Sequence, residues 1–241
     1  MIFLATDFGS AGPYTGQMRA MLARLAPKID VIDLFSDLPA FKPDLAAYLL
    51  ATYANVLETD DVLLAVVDPG VGSTREPLVL RSDNRWFVGP DNGLFELIRR
   101  RSRSVTCDRI TWRPKNLSAS FHGRDLFAPV AASLALGKPV KKEPWRPLKT
   151  DWPNDLAAIV YVDHYGNGMT GLRGSEVSDV MIIQIGNDCL TQARTFSDRP
   201  KGQAFWYVNA NGLVEIAVRG DSAANRFGLK PGFPVNVLSA S

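Results

Sequence analysis

Apolar residues in the first half of the chain follow two alternating patterns. Short continuous runs at Ile2–Ala5, Val31–Leu34 and Leu63–Val67 predict strands, the last of them buried on both faces. Between them, apolar positions recur at helical spacing. Met18, Met21, Leu22 and Leu25 follow Pro13, and Leu45, Ala46, Leu49, Leu50, Tyr53 and Leu57 follow Pro43. Both prolines suit a first helical turn. Leu78–Arg81 and Trp86–Val88 predict a hairpin around Asp83-Asn84, and Leu94–Arg101 and Leu126–Leu136 predict two further helices. Strands separated by helices of this length predict an α/β domain with a doubly wound, mostly parallel sheet.

The pattern changes near Gly137. Residues 138–147 are rich in proline and charge and read as a linker. Short β-like runs follow at Ala157–Val162, Val180–Ile185, Phe205–Val208, Leu213–Val218 and Val235–Leu238. Turn residues such as Asn187-Asp188 and Asn211-Gly212 separate them, which predicts a small, barrel-like all-β domain, mostly antiparallel. The expected division is an α/β N-terminal domain at 1–140, a linker at 141–154 and a β C-terminal domain at 155–241.

Composition narrows the functional classes. At 241 residues the chain can bury a sizeable core, and 46% hydrophobic with 22% charged residues lies near the globular average. A net charge of +2 argues against nucleic acid or an anionic membrane surface as partner. No apolar run approaches the roughly 20 residues of a membrane span. The N-terminal run reaches Asp7 without a basic stretch, unlike a secretory signal. Cys107 and Cys189 are far apart, lack metal-type spacing and are expected to be two buried thiols. A soluble cytoplasmic protein is expected.

The stretch from Leu63 to Arg75 carries the first candidate chemistry. Pro69 cannot donate to a ladder, so Asp68 is expected at the carboxyl end of a central strand, where open α/β sheets bind ligands. Gly70 and Gly72 allow a tight loop, and Arg75 can fold back to face the carboxylate. A turn-capping Asp and a surface Arg would fit the same residues, and both readings stay open here. Further polar clusters fall at Thr6-Asp7-Phe8-Gly9, Gly89-Pro90-Asp91-Asn92-Gly93, Phe121-His122-Gly123-Arg124-Asp125 and Asp163-His164-Tyr165-Gly166-Asn167. The chain's two histidines both lie in these clusters.

Taken in order with Asp68-Pro69-Gly70-Val71-Gly72, these motifs resemble the S-adenosylmethionine (SAM) hydrolase family, related to the SAM-dependent fluorinating and chlorinating enzymes. The resemblance spans Ile2 to about Leu238. It implies an adenosine-forming hydrolase without a cofactor, SAM being the substrate. It also implies a homotrimer whose active sites lie between the N-domain of one subunit and the C-domain of the next. Asp68, Arg75 and His122 match the hydrolase branch's water-activating constellation. The halogenating branch has tyrosine at the position of Asp68, and its fluorinating members have serine at that of Gly123. Asp7 matches the carboxylate that binds the ribose diol. Asp163 and Asn167 match positions around the amino-acid portion and adenine, with Tyr165 as a wall for the base. Asn211 falls at the substrate-carboxylate site, where the family commonly shows Ser after Asn and this chain has Ala210.

The chemistry of such a substrate suits these residue types. A sulfonium leaves as a neutral thioether and needs no general acid, so the reaction lacks only a nucleophile. Asp68 and His122 can accept a hydrogen bond or proton from one water, and Arg75 can stabilise hydroxide character. Tyr14 or Phe41 could cover the ribose and sulfonium. Two other classes fit parts of the pattern. A metal-dependent hydrolase would use Asp68, His122, Asp163 and His164, though these lack the spacing of common zinc sites. A nucleoside-binding regulatory module without turnover would use the 68–72 loop, which lacks the Lys-Ser/Thr ending of a phosphate loop.

Overall fold

A computed structural model describes residues 1–238. The chain divides into two compact units, Met1–Asp151 and Trp152–Ser241.

The first unit contains β1 (Ile2–Thr6), α1 (Tyr14–Leu25), β2 (Val31–Phe35), α2 (Pro43–Tyr53), β3 (Val62–Val66), β4 (Pro77–Ser82), β5 (Arg85–Pro90), α3 (Glu96–Arg101), β6 (Val105–Ile110), α4 (Ala128–Ala135) and β7 (Lys142–Pro144). The strands form one seven-stranded sheet in the order β2-β1-β3-β5-β4-β6-β7. β1 pairs in parallel with β2 and β3, and β3 with β5. The pairs β4–β5, β4–β6 and β6–β7 are antiparallel. The sheet is therefore mixed, not mostly parallel. The cause lies in the turn Asp83-Asn84, whose φ angles of 45° and 64° make a tight two-residue connection that reverses the chain.

Ile2, Leu4, Val62, Leu64 and Val66 pack on one face with Met18 and Leu22 of α1 and Val130 and Ala131 of α4. The alternate positions Phe3, Ala5, Leu63 and Ala65 are buried too, as expected for strands covered on both faces. Full burial of each large side chain contributes roughly 1.5–3 kcal/mol. α2 is anchored by Leu45, Leu49 and Leu50, all buried, and packs on α3.

Part of the segment read as a linker is a strand. Residues 142–144 pair with β6, and Lys142 and Glu143 make ion pairs with Asp108 and Arg109. Trp145 Nε1 then donates to Asp91 at 2.8 Å. A short, charged edge strand has no apolar alternation to give it away.

The second unit contains β8 (Leu156–Val162), β9 (Gly168–Arg173), β10 (Ile182–Ile185), β11 (Asp188–Leu190), β12 (Ala204–Val208), β13 (Leu213–Val218), α5 (Ala223–Phe227) and β14 (Asn236–Leu238). They form a four-stranded sheet, β12-β13-β9-β8, and a three-stranded sheet, β11-β10-β14. All pairings between these strands are antiparallel. Ile159, Ile183, Trp206, Ile216 and Leu229 share the core. Trp206 donates its indole N–H to the Met181 carbonyl at 3.0 Å, so its burial leaves no orphan donor.

Both cysteines are free. Cys107 is half-buried, and burial pushes its thiol up to about 12. Cys189 is exposed, contrary to the expectation of two buried thiols, because its strand is a short edge of the smaller sheet. Among the described residues, no helix is long and apolar enough to cross a membrane.

Candidate active site

The parallel pairing of β1 with β3 runs to Thr6↔Val66, so the two strands end side by side. Asp7 follows one end and Asp68 lies just beyond the other, at the carboxyl edge of the parallel half of the sheet. The Asp7 N–H donates to the Val66 carbonyl at 3.4 Å. After Asp68 the chain makes two successive turns, Val71 N–H to Asp68 C=O at 3.2 Å and Ser73 N–H to Gly70 C=O at 3.1 Å. Gly72 has a φ of 79°, and a Cβ there would sit 2.6 Å from the Ala119 carbonyl oxygen. Only glycine fits both constraints.

This loop returns Arg75 to Asp68. Arg75 Nε donates to Asp68 Oδ1 at 3.2 Å, and Nη2 donates to Oδ2 in a two-point pair. The side chains are only 8% and 4% exposed, so the charges are paired away from most solvent. Arg75 Nη1 donates to the Glu76 carbonyl at 3.1 Å, and the guanidinium lies 5.4 Å from the Phe127 ring centroid.

Nη2 also lies 3.2 Å from His122 Nδ1. A guanidinium can only donate, so Nδ1 accepts and a neutral His122 carries its proton on Nε2. Burial, followed by the positive charge of Arg75, holds the His122 pKa below its ordinary value. His122 therefore presents a donor from Nε2 in this arrangement, unlike the acceptor expected from its residue type. It directly precedes a π-helical turn, Gly123–Phe127, which leads into α4.

Asp68 and His122 face a cleft of about 600 Å³ whose lining also includes Asp7, Tyr14 and Phe41; Arg75, which bridges them, is not part of that lining. Asp7 Oδ2 accepts the Phe41 N–H at 3.0 Å. Burial raises the Asp7 pKa; the Phe41 N–H opposes that shift and the Asp68 charge adds to it. Phe41 has a φ of 61°, uncommon for a bulky residue, and its side chain is largely exposed at the cleft. Phe8, Tyr14 and Phe121 form an aromatic cluster with centroid separations of 5.5–5.8 Å.

Gln17, Ser118, Ser120 and Arg124 also line the cleft and carry no role in the reading from sequence. Arg124 binds Asp125 through Nε at 2.6 Å, donates to Gln17 Oε1 at 2.8 Å and lies over the Phe121 ring. Its place two residues after His122 is a usable signal. Gln17 reads only as a polar helix position.

The remaining candidates lie in the second unit. Asp163 Oδ1 accepts the N–H groups of Tyr165 and Asn167, and Oδ2 accepts Asn167 Nδ2 at 2.9 Å. Asp163, Tyr165 and Asn167 line a hollow of about 670 Å³ with Phe196, Tyr207 and Ser222. Asn211 is not brought to the lining of that hollow; its N–H binds Asn209 Oδ1 at 3.0 Å in the turn before β13. Beneath Tyr207, the buried Glu215 accepts the Tyr207 hydroxyl and Asn209 Nδ2. Among the described residues, no group of three or more His, Cys, Asp and Glu side chains is gathered so as to hold a metal ion.

The N- and C-terminal domain models of the SAM hydroxide adenosyltransferases match residues 2–143 and 157–236. The chain belongs to the SAM hydroxide adenosyltransferase family. Within that family it is 37% identical to the (R)-S-adenosyl-L-methionine hydrolase of Thermus thermophilus, over 98% of this chain and 99% of that protein. It is 34% identical to the protein of the same name from Salinispora arenicola, over 99% and 97% of the two chains. The crystal structure of an uncharacterized conserved protein from Thermotoga maritima superimposes with a TM-score of 0.87 at 28% identity. That match covers 99% of this chain and 100% of the other. The SAM hydroxide adenosyltransferase assignment thus rests on both units, not on the sheet-end motif alone.

Proposed function

We propose that the chain hydrolyses S-adenosyl-L-methionine to adenosine and L-methionine, with water attacking the ribose C5′. The observation that carries this reading is that Asp68 and His122, bridged by Arg75, line the same cleft as Asp7. It agrees with the names of the hydrolases that the chain resembles over its full length.

One water donates to Asp68 and accepts from His122 Nε2–H, leaving a lone pair for C5′. The new O–C5′ bond forms as the C5′–S bond breaks, and that bond's electron pair passes to sulfur. Methionine leaves as a neutral thioether, so no acid is required. The water's proton is lost as its oxygen bonds to carbon, which makes that proton progressively more acidic. An Arg-paired carboxylate therefore suffices as acceptor, and the proton passes from Asp68 to solvent. Positioning supplies much of the rate, since a fixed nucleophile in line with its target avoids an entropic cost. Asp7 holds the ribose hydroxyls, and Tyr14 and Phe41 offer aromatic faces to the ribose and the sulfonium.

The reaction needs no cofactor. Asp163, Tyr165 and Asn167 are assigned to the adenine and amino-acid portions of SAM. In a homotrimer, the second unit of one copy would complete the cleft of another. Incubation of the purified chain with SAM, followed by chromatography, should yield adenosine and methionine in equal amounts. Recovery of unchanged SAM from well-folded protein would overturn the reading.

A further inference from the structure

The motif Gly89-Pro90-Asp91-Asn92-Gly93 spans the end of β5 and is absent from the cleft lining, yet it touches both ends of the loop that carries Asp68 and Arg75. At the first end, pairing of β3 with β5 runs only to Leu64↔Val88. Val67, fully buried and adjacent to Asp68, lies beyond it. The Val67 carbonyl instead accepts Asn92 Nδ2 at 2.8 Å. Asn92 Oδ1 accepts the Leu94 N–H at 3.3 Å, so both ends of the amide are engaged and its orientation is fixed.

At the second end, the Asp91 N–H donates to the Glu76 carbonyl at 2.9 Å, the oxygen that also accepts Arg75 Nη1. Close approach of the turn depends on Gly89, where a Cβ would fall 2.3 Å from the Ala65 carbonyl oxygen. The Asp91 carboxylate is engaged elsewhere, by Trp145 Nε1 and the Leu148 N–H. Asn92 is thus the side chain of this turn that acts on the Asp68 end of the loop.

We propose that Asn92 is a positioning residue for the reaction, its side-chain amide holding the Val67 carbonyl and thereby the direction in which Asp68, paired with Arg75, enters the cleft. This rests on the reading of the cleft as a site of SAM hydrolysis. The amide continues the work of the strand ladder past the point where β5 turns away. Misplacement of a reacting group by about 1 Å costs about 10²-fold in rate, so a one-bond tether at this position is enough to matter.

Asn92→Ser and Asn92→Ala test the proposal in the full-length chain. Serine can keep the short contact to the Leu94 N–H but does not reach Val67, so it separates the tether from the turn itself. Per folded molecule, both variants should lose about 10–10²-fold in kcat with little change in KM for SAM, because the ribose and sulfonium contacts are elsewhere. A second readout does not need turnover. Proton titration of His122 by NMR, in a His164→Ala background, should move toward the ordinary histidine range as a displaced Asp68 draws its Arg75 partner away from Nδ1. If the parent chain turns over SAM, an unchanged kcat per folded molecule overturns the proposal. If the parent is inactive, the hydrolase reading fails, and an unchanged His122 titration overturns the tether on its own.

Discussion

Arg75 is the residue on which the others depend. It neutralises Asp68 through two contacts and fixes the tautomer of His122 through a third. Removing one partner from such a nearly buried pair leaves an uncompensated charge and typically costs 3–5 kcal/mol, so stability must be measured beside activity. His122 gives the cleaner test. Its protonation places a second N–H against the guanidinium, breaking the arrangement. Activity should therefore fall as pH drops through a His122 pKa lying below the ordinary value of about 6.5, and should level above it. His122→Ala should lose that acid limb together with most of kcat, while adenosine affinity stays nearly intact. His122→Gln, which keeps a donor near the Nε2 position, should recover part of kcat. Equal loss in both variants would mean that the ring accepts a proton and does not merely hold the water.

At the scale of elements, the carboxyl ends of β1 and β3 fix the site, and these were the most legible parts of the chain. Their runs are continuous and apolar because both faces are covered, and each ends at an Asp that no ladder can absorb. The hairpin was legible for the same local reason, the Asp83-Asn84 turn. What escaped was polar or short. β6, Val105–Ile110, carries Thr106, Asp108 and Arg109 on a strand near the sheet edge, and β9 begins at a glycine with another inside it. The His122 contact spans 47 residues of sequence to Arg75, and no spacing rule reports such a distance. Local patterns also miss Glu215, a carboxylate buried inside the apolar run of β13. Burial raises its pKa, with Tyr207 and Asn209 acting against the shift. The folded state therefore holds that proton more tightly than the unfolded chain. This contribution to stability is full below the unfolded value of about 4.3 and is lost as pH rises through the raised folded value. Thermal melts should show that decline in the parent and a flatter profile in Glu215→Gln. An equal slope in both would place the titration elsewhere.

On the scale of the whole molecule, each unit carries an open hollow, and each presents an exposed aromatic, Phe41 in the first and Tyr165 in the second. The proposed homotrimer gives these surfaces a use. Sedimentation should find three chains per particle, and activity should fall on dilution below the concentration at which the particle dissociates. A fully active monomer would remove the trimer from the account. The central claim is that a water held by Asp68 and His122, themselves set by Arg75, attacks C5′ directly. A single turnover of excess enzyme on SAM in ¹⁸O-water tests it, with both products and the protein read by mass spectrometry. Direct attack predicts one ¹⁸O in adenosine, none in methionine and none in the enzyme. Unlabelled adenosine with ¹⁸O in Asp68 would mean that the carboxylate had attacked C5′ itself, and would contradict the account.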